Sequence, residues 1–149
     1  MKLTDDDTFL RRLIAESHLA RARGQTGWER TRGVFKIRSA ALPDGRRRAS
    51  VGVVRPGHGP AELYARDCGD DGRCGVGSIS HASISGAGGS VSHDPEGGNE
   101  YHCSLEFPDD LVTAFRLAQA CRVEVWPTTI PPETRLLLPR PSPAPTETT

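Results

Sequence analysis

The feature that most constrains this chain is the crowding of proline at its end. From Pro127 to Thr149, 7 of 23 residues are proline and 6 are threonine. Proline lacks a backbone donor and blocks helix and sheet alike, so this stretch reads as an extended, disordered tail. The fold must close before it, and Trp126 is the last large anchor of the preceding apolar run. The expected organisation is one domain over 1–126 followed by a Pro/Thr-rich tail over 127–149. A domain of that size buries roughly two-thirds of its unfolded surface, enough for a core without disulfides or a structural metal.

Periodicity within the domain predicts an α+β fold. Thr4 with Asp7 three residues later forms a capping-box pattern, and Phe9, Leu10, Leu13, Ile14, Ser17 and Ala20 recur at helical spacing up to Gly24. An N-terminal helix is expected over about 4–22. Alternation at Val34–Arg38, turn chemistry at Leu42-Pro43-Asp44-Gly45 and a return over Ala49–Val54 predict a hairpin. Glu62–Arg66 reads as a third strand. Residues 75–98 hold 7 Gly and 6 Ser, so they read as a Gly/Ser-rich loop or weak hairpin, with strands near Ser78–Ser85 and Ser90–His93. Tyr101, Cys103, Leu105 and Phe107 alternate with polar residues in a half-buried strand. Pro108-Asp109-Asp110 opens a second helix reaching Ala120, with Leu111, Ala114, Phe115, Ala118 and Cys121 as its inner stripe. Val123–Trp126 closes the fold. The expected architecture is an N-terminal helix, an antiparallel sheet of 4–6 strands, a second helix before the last strand, and the tail.

Charge divides along the chain although its sum is zero. Residues 1–60 carry 13 Lys/Arg against 6 Asp/Glu; residues 61–149 carry 6 against 13. With no convergent catalytic set visible, this favours a non-enzymatic protein-interaction module, an adaptor or accessory subunit with a protein partner. Arg46, Arg47 and Arg48 at the hairpin turn are a candidate binding patch, or else edge protection of a strand. Leu136, Leu137 and Leu138 are a candidate docking segment in the tail. A third function class is a nucleic-acid-binding module using Arg21, Arg23, Arg30, Arg32 and Arg46 to Arg48. No apolar run approaches membrane-spanning length and no apolar leader is visible, so no membrane is expected and the location reads as cytoplasmic, with four reduced cysteines.

Candidate chemistry centres on histidine, serine and cysteine. Cys68, Cys74, His81 and His93 are of metal-ligating type, but five residues separate the two cysteines, so no metal is expected. Cys74 could act as a nucleophile with His81 or His93 as base. Cys74-Gly75-Val76-Gly77-Ser78 lacks the Gly-Lys-Ser/Thr ending of a phosphate loop, and no cofactor is expected.

His81-Ala82-Ser83-Ile84 and His102-Cys103-Ser104-Leu105 both fit His-x-(Ser/Thr)-apolar. These eight residues resemble the repeated motif of the 2H phosphoesterase (RNA ligase-like) superfamily. The resemblance implies His81, Ser83, His102 and Ser104 gathered on one sheet surface around a phosphodiester, one histidine as base and the other as acid. A small phosphodiesterase or hydrolase on that His/Ser face is the alternative function.

Overall fold

The computed structural model describes residues 1–14, 19–21, 28–30 and 39–132. Expectations that fall elsewhere, including the strand over 34–38, Arg23, Arg32 and the Leu136, Leu137 and Leu138 segment, lie outside the described residues.

The strands are Thr8–Ile14 (β1), Leu19–Arg21 (β2), Trp28–Arg30 (β3), Ala40–Ala41 (β4), Arg46–Val53 (β5), Cys74–Ser80 (β6), Ser90–His93 (β7), His102–Pro108 (β8) and Arg122–Val125 (β9). The helices are Pro60–Leu63 (α1), which runs on into a π turn over Tyr64–Cys68, then His81–Gly86 (α2) and Leu111–Ala120 (α3). Seven strands form one antiparallel sheet in the order β7-β8-β5-β1-β6-β9, with β4 also on β5; β2 and β3 pair separately. The α+β mix and the antiparallel sheet agree with the sequence expectation, while the seven strands exceed the four to six expected.

The N-terminal helix does not. Residues 8–14 form β1, paired with β6 from Thr8↔Ser80 to Ile14↔Cys74 and with β5 at Phe9↔Val53 and Leu10↔Gly52. The strand is covered on both faces, Phe9 and Leu13 lying in the main core and Leu10 in a second one. A strand buried on both sides needs apolar residues in succession, and such a run also fits helical spacing. The capping pair exists, but it makes a turn: Thr4 N–H donates to Asp7 Oδ2 at 2.7 Å and Asp7 N–H to the Thr4 carbonyl at 3.1 Å.

Two further segments differ from expectation. The proposed strand Glu62–Arg66 is α1 and its π turn, opened by Pro60 and by a Glu62 carboxylate that accepts from Gly59 N–H at 2.7 Å. The Gly/Ser-rich segment is regular structure, with β6, α2 and β7 occupying most of 74–93; β7 is the strand expected at Ser90–His93, but Ser78–Ser85 is the end of β6 and α2. The two glycines of β6 are there for close approach. A Cβ on Gly75 would meet the Val125 carbonyl at 2.5 Å, and one on Gly77 would meet Cys121 Sγ at 2.7 Å. Ser80 Oγ caps α2 by accepting from Ser83 N–H at 3.1 Å.

The main core lies between the sheet and α2 and α3, and includes Phe9, Val51, Val53, Ile79, Ile84, Leu105, Phe107 and Leu117. α3 faces inward through Thr113, Ala114, Leu117 and Ala118, not through the expected Leu111 and Phe115, which are 53% and 50% exposed. On the opposite sheet face α1 packs Leu63 against Leu10 and Val76. The β5–β8 part of that face is covered instead by the turn that carries Asp94 and Glu96. Trp126 is half-buried, and the packing continues past it to Ile130, which is buried against Val123 and Trp126.

Candidate functional site

Along β5 and β8 the side chains alternate between the two faces. Ala49, Val51, Cys103 and Leu105 enter the main core, so Ser50, Gly52, His102 and Ser104 fall on the other side. Register puts Ser50 opposite Ser104 and Gly52 opposite His102. There a cleft of about 290 Å³ is lined by Leu10, Arg12, Ser50, Leu63, Arg66, Asp67, Asn99 and His102, among others.

His102 is buried at 8% exposure, and both of its ring nitrogens are engaged. Nδ1 lies 2.6 Å from the backbone carbonyl of Asp94. A carbonyl only accepts, so Nδ1 carries a proton, and in the neutral imidazole Nε2 then presents its lone pair. Nε2 lies 3.0 Å from Ser50 Oγ, which donates to it, and 3.4 Å from Glu96 Oε1. The serine is exposed. Ser104 Oγ, on the same strand face, donates instead to Asp94 Oδ2 at 2.7 Å. The hairpin between β7 and β8 closes at Glu96↔Asn99 around Gly97 and Gly98, both at positive φ. That turn brings Glu96 over the imidazole.

A second assembly supports the other wall. His58 is fully buried at 1% exposure and stacks on Tyr101, with ring centroids 4.4 Å apart and planes 12° apart. Its Nδ1 donates to the Val53 carbonyl at 2.8 Å, and its Nε2 accepts from Arg66 Nη2 at 3.4 Å. Gly52 makes room for it, since a Cβ there would stand 2.7 Å from His58 Cε1. Arg66 also holds the Asp67 carboxylate through Nε at 2.9 Å and Nη2 at 3.4 Å. Arg12 Nη1 reaches the Asp67 carbonyl at 3.5 Å.

The sequence-derived candidates separate. His81 and Ser83 lie on α2, not on a strand beside His102. His81 Nδ1 is bound to the Thr4 carbonyl at 2.8 Å, and its ring meets Phe9 edge-on. His93 pairs with Cys103 across β7 and β8, which puts it on the face opposite His102, and it bonds the Glu100 carbonyl at 2.6 Å. The four-residue arrangement implied by the phosphoesterase resemblance is therefore not formed.

Cys68 and Cys74 are joined in a disulfide, their Cα atoms 5.4 Å apart, contrary to the expectation of four reduced thiols. The end of the π turn returns to the start of β6, which brings the two residues to bonding distance. Neither is then a thiolate ligand or a nucleophile. Cys103 and Cys121 are free and buried, and burial pushes the Cys103 thiol up to about 11.

The arginine triplet binds within the fold. Arg46 donates to the Glu106 carbonyl, Arg47 pairs with Asp109 at 3.2 Å and bonds Ser39, and Arg48 pairs with Glu106 at 3.1 Å. The basic and acidic halves of the chain meet here, across β5 and β8.

Asp94, Glu96 and His102 offer three donor atoms within 4.8 Å of one another, the one such grouping among the described residues. The donor His102 would give is Nε2, the atom that faces Ser50. A metal there and a free imidazole base exclude each other.

Comparison with protein-family models, with curated proteins and with solved structures finds no match for this chain.

Sequence reasoning placed His102 and Ser104 on the face opposite the core but expected that face to be exposed, whereas both are buried; it missed Ser50, Arg12, His58, Arg66, Asn99 and Glu96. The visible signal was Ser50 at a polar phase of the alternating strand Ala49–Val54. Its pairing with His102 depends on a register between strands 52 residues apart.

Proposed function

We propose that this domain is a small hydrolase of ester-type substrates in which Ser50 is the nucleophile and His102 the base. The carrying observation is the 3.0 Å contact between Ser50 Oγ and His102 Nε2 at the wall of the cleft, with Nδ1 held on the Asp94 carbonyl. Ser50 Oγ attacks the substrate carbonyl while His102 Nε2 takes its proton. The imidazolium so formed faces the Glu96 carboxylate at 3.4 Å. Collapse of the tetrahedral adduct expels the alcohol, which takes the proton from Nε2. Water, deprotonated by His102, then attacks the acyl group, and the imidazolium returns that proton to Ser50 Oγ as the acid leaves. Asn99 contributes amide N–H donors to the same cleft, its Oδ1 being taken by Tyr101 N–H at 3.0 Å.

The test is covalent. A fluorophosphonate probe should give one adduct per chain, mapping to Ser50, and S50A and H102A should each abolish it. An adduct that persists in S50A, or none in the wild-type protein, would falsify the assignment.

A second reading, the interaction module expected from the sequence, has its own support. Leu111, Val112 and Phe115 form an apolar edge on the outside of α3, at 53%, 60% and 50% exposure. In this reading α3 packs on a protein partner. L111S/F115S should lose a partner captured from the native host by the wild-type protein, with unchanged unfolding midpoint. Retained capture sinks it.

A further inference from the structure

We propose that the ligand of this cleft carries an anionic group, a carboxylate or a phosphate, held by the guanidinium groups of Arg12 and Arg66, with His58 as the positioning residue for Arg66. The inference deepens the hydrolase reading by naming its substrate class and rests on that reading for the word substrate; anion binding itself does not.

Three observations converge. Around the cleft Arg11, Arg12 and Arg66 stand against Asp67, while Glu96 sits at the other end over His102, so the end that carries Arg12 and Arg66 favours negative charge. Asp67 does not quench both nearer cations: its carboxylate is bonded to Arg66, whereas Arg12 meets only its carbonyl. Arg12 keeps Nε and Nη2, and Arg66 keeps Nη1, without a partner among the described residues. A guanidinium edge of this kind matches a carboxylate or phosphate.

The second part concerns orientation. A long exposed arginine spends rotamer entropy when it binds, unless something already fixes it. Arg66 is fixed on two sides, by the adjacent Asp67 and by His58 Nε2. His58 cannot turn away, because Nδ1–H is held by the Val53 carbonyl, one ring face stacks on Tyr101 and Gly52 lies against Cε1. A fully buried imidazole with its one open nitrogen directed at a cleft arginine is a costly arrangement for packing alone. It is well suited to holding a cation ready for a ligand.

The experiment separates binding from turnover. Inorganic phosphate and succinate are titrated calorimetrically into S50A, which retains the cleft but not the nucleophile. One of the two should bind, and the preferred one identifies the anion. R12Q and R66Q in the S50A background should each weaken that binding about tenfold, and R66K, which keeps the charge but loses the fork, should weaken it nearly as much. With the Ser50-containing protein, H58Q should lower kcat/KM for mono(4-nitrophenyl) succinate more than for 4-nitrophenyl acetate, mostly through KM, a split that general destabilisation does not produce. The proposal is overturned if neither anion binds at millimolar concentration, or if either binds R66Q and R66K as tightly as the parent. Arg66-dependent anion binding with ester hydrolysis that ignores Ser50 and His102 would fell the hydrolase reading and leave this inference standing. Ser50-dependent hydrolysis without anion binding would do the reverse.

Discussion

Ser50 and His102 approach diagonally across the β5–β8 ladder, Oγ to Nε2 at 3.0 Å, although register sets Ser50 opposite Ser104. Because one proton is shared along this contact, the two residues act as a unit. S50A and H102A should each lower turnover of 4-nitrophenyl acetate by roughly 10²–10⁴-fold, and the double variant should be little worse than either single. Steady-state kinetics on the three proteins checks this; additive losses would mean that the two side chains work separately.

Zinc should inhibit. Engaging Asp94, Glu96 and His102 takes the Nε2 lone pair that accepts the serine proton. Micromolar zinc should suppress turnover, EDTA should restore it, and E96Q should shift the inhibition curve to higher zinc. Activation by zinc would instead make the metal part of the chemistry.

Gly52 has a packing role that a single methyl group exposes. With a Cβ placed 2.7 Å from His58 Cε1, G52A should cost about 1–3 kcal/mol by overpacking. Adding H58A should recover part of that loss, since the two changes share one space. Urea unfolding of the singles and the double gives the coupling, and strict additivity would refute it.

The ion pair between Asp7 and Arg55, 2.6 Å long and only 11% and 25% exposed at the two side chains, holds the Asp7 carboxyl below its ordinary value. A carboxyl with a lowered folded pKa stabilises above its unfolded pKa and loses that contribution as pH falls through the folded one. D7N should therefore cost about 1 kcal/mol near neutral pH, and the difference should shrink as pH falls below about 4. Unfolding curves between neutral and acid pH test the sign.

The disulfide closes a short loop, with Cys68 and Cys74 six positions apart. Removing it as C68S/C74S should cost about 2 kcal/mol by loop entropy. Native protein should resist alkylation at all four cysteines, the two free thiols being buried and that of Cys103 raised to about 11. Denaturation without reductant should expose two. Intact-mass analysis reads the counts directly.

Legibility in the sequence followed how far each element depends on distant partners. Glu100–Phe107 was readable because its core face is apolar and its other face polar, so its alternation is local even though His102 and Ser104 are also buried. Thr8–Ile14 was misread because burial on both faces erases alternation, and a turn carboxylate at Asp7 imitates a helix cap. Cys74–Ser80 was misread because its glycines are set by what presses on them, Val125, Pro127 and Cys121, none of them near in sequence. The site followed the same rule. His102 was legible as a polar residue on the face away from the core, but Ser50, Arg66 and His58 acquire meaning only when β5, β8 and the α1 strap converge.

The strand order also sets a timetable for folding. β1 cannot complete its ladder until Ser80 exists to pair with Thr8, and β5 cannot fill its long edge until Pro108 exists to pair with Arg46. Most of the central sheet thus joins segments more than fifty residues apart, the kind of connectivity that folds slowly. On the ribosome, the edge of Phe9, Leu10 and Leu13 that meets β6 must wait, unpaired, while some sixty to seventy further residues are made. The nascent chain is therefore most in need of chaperone cover before β6 and β8 have emerged.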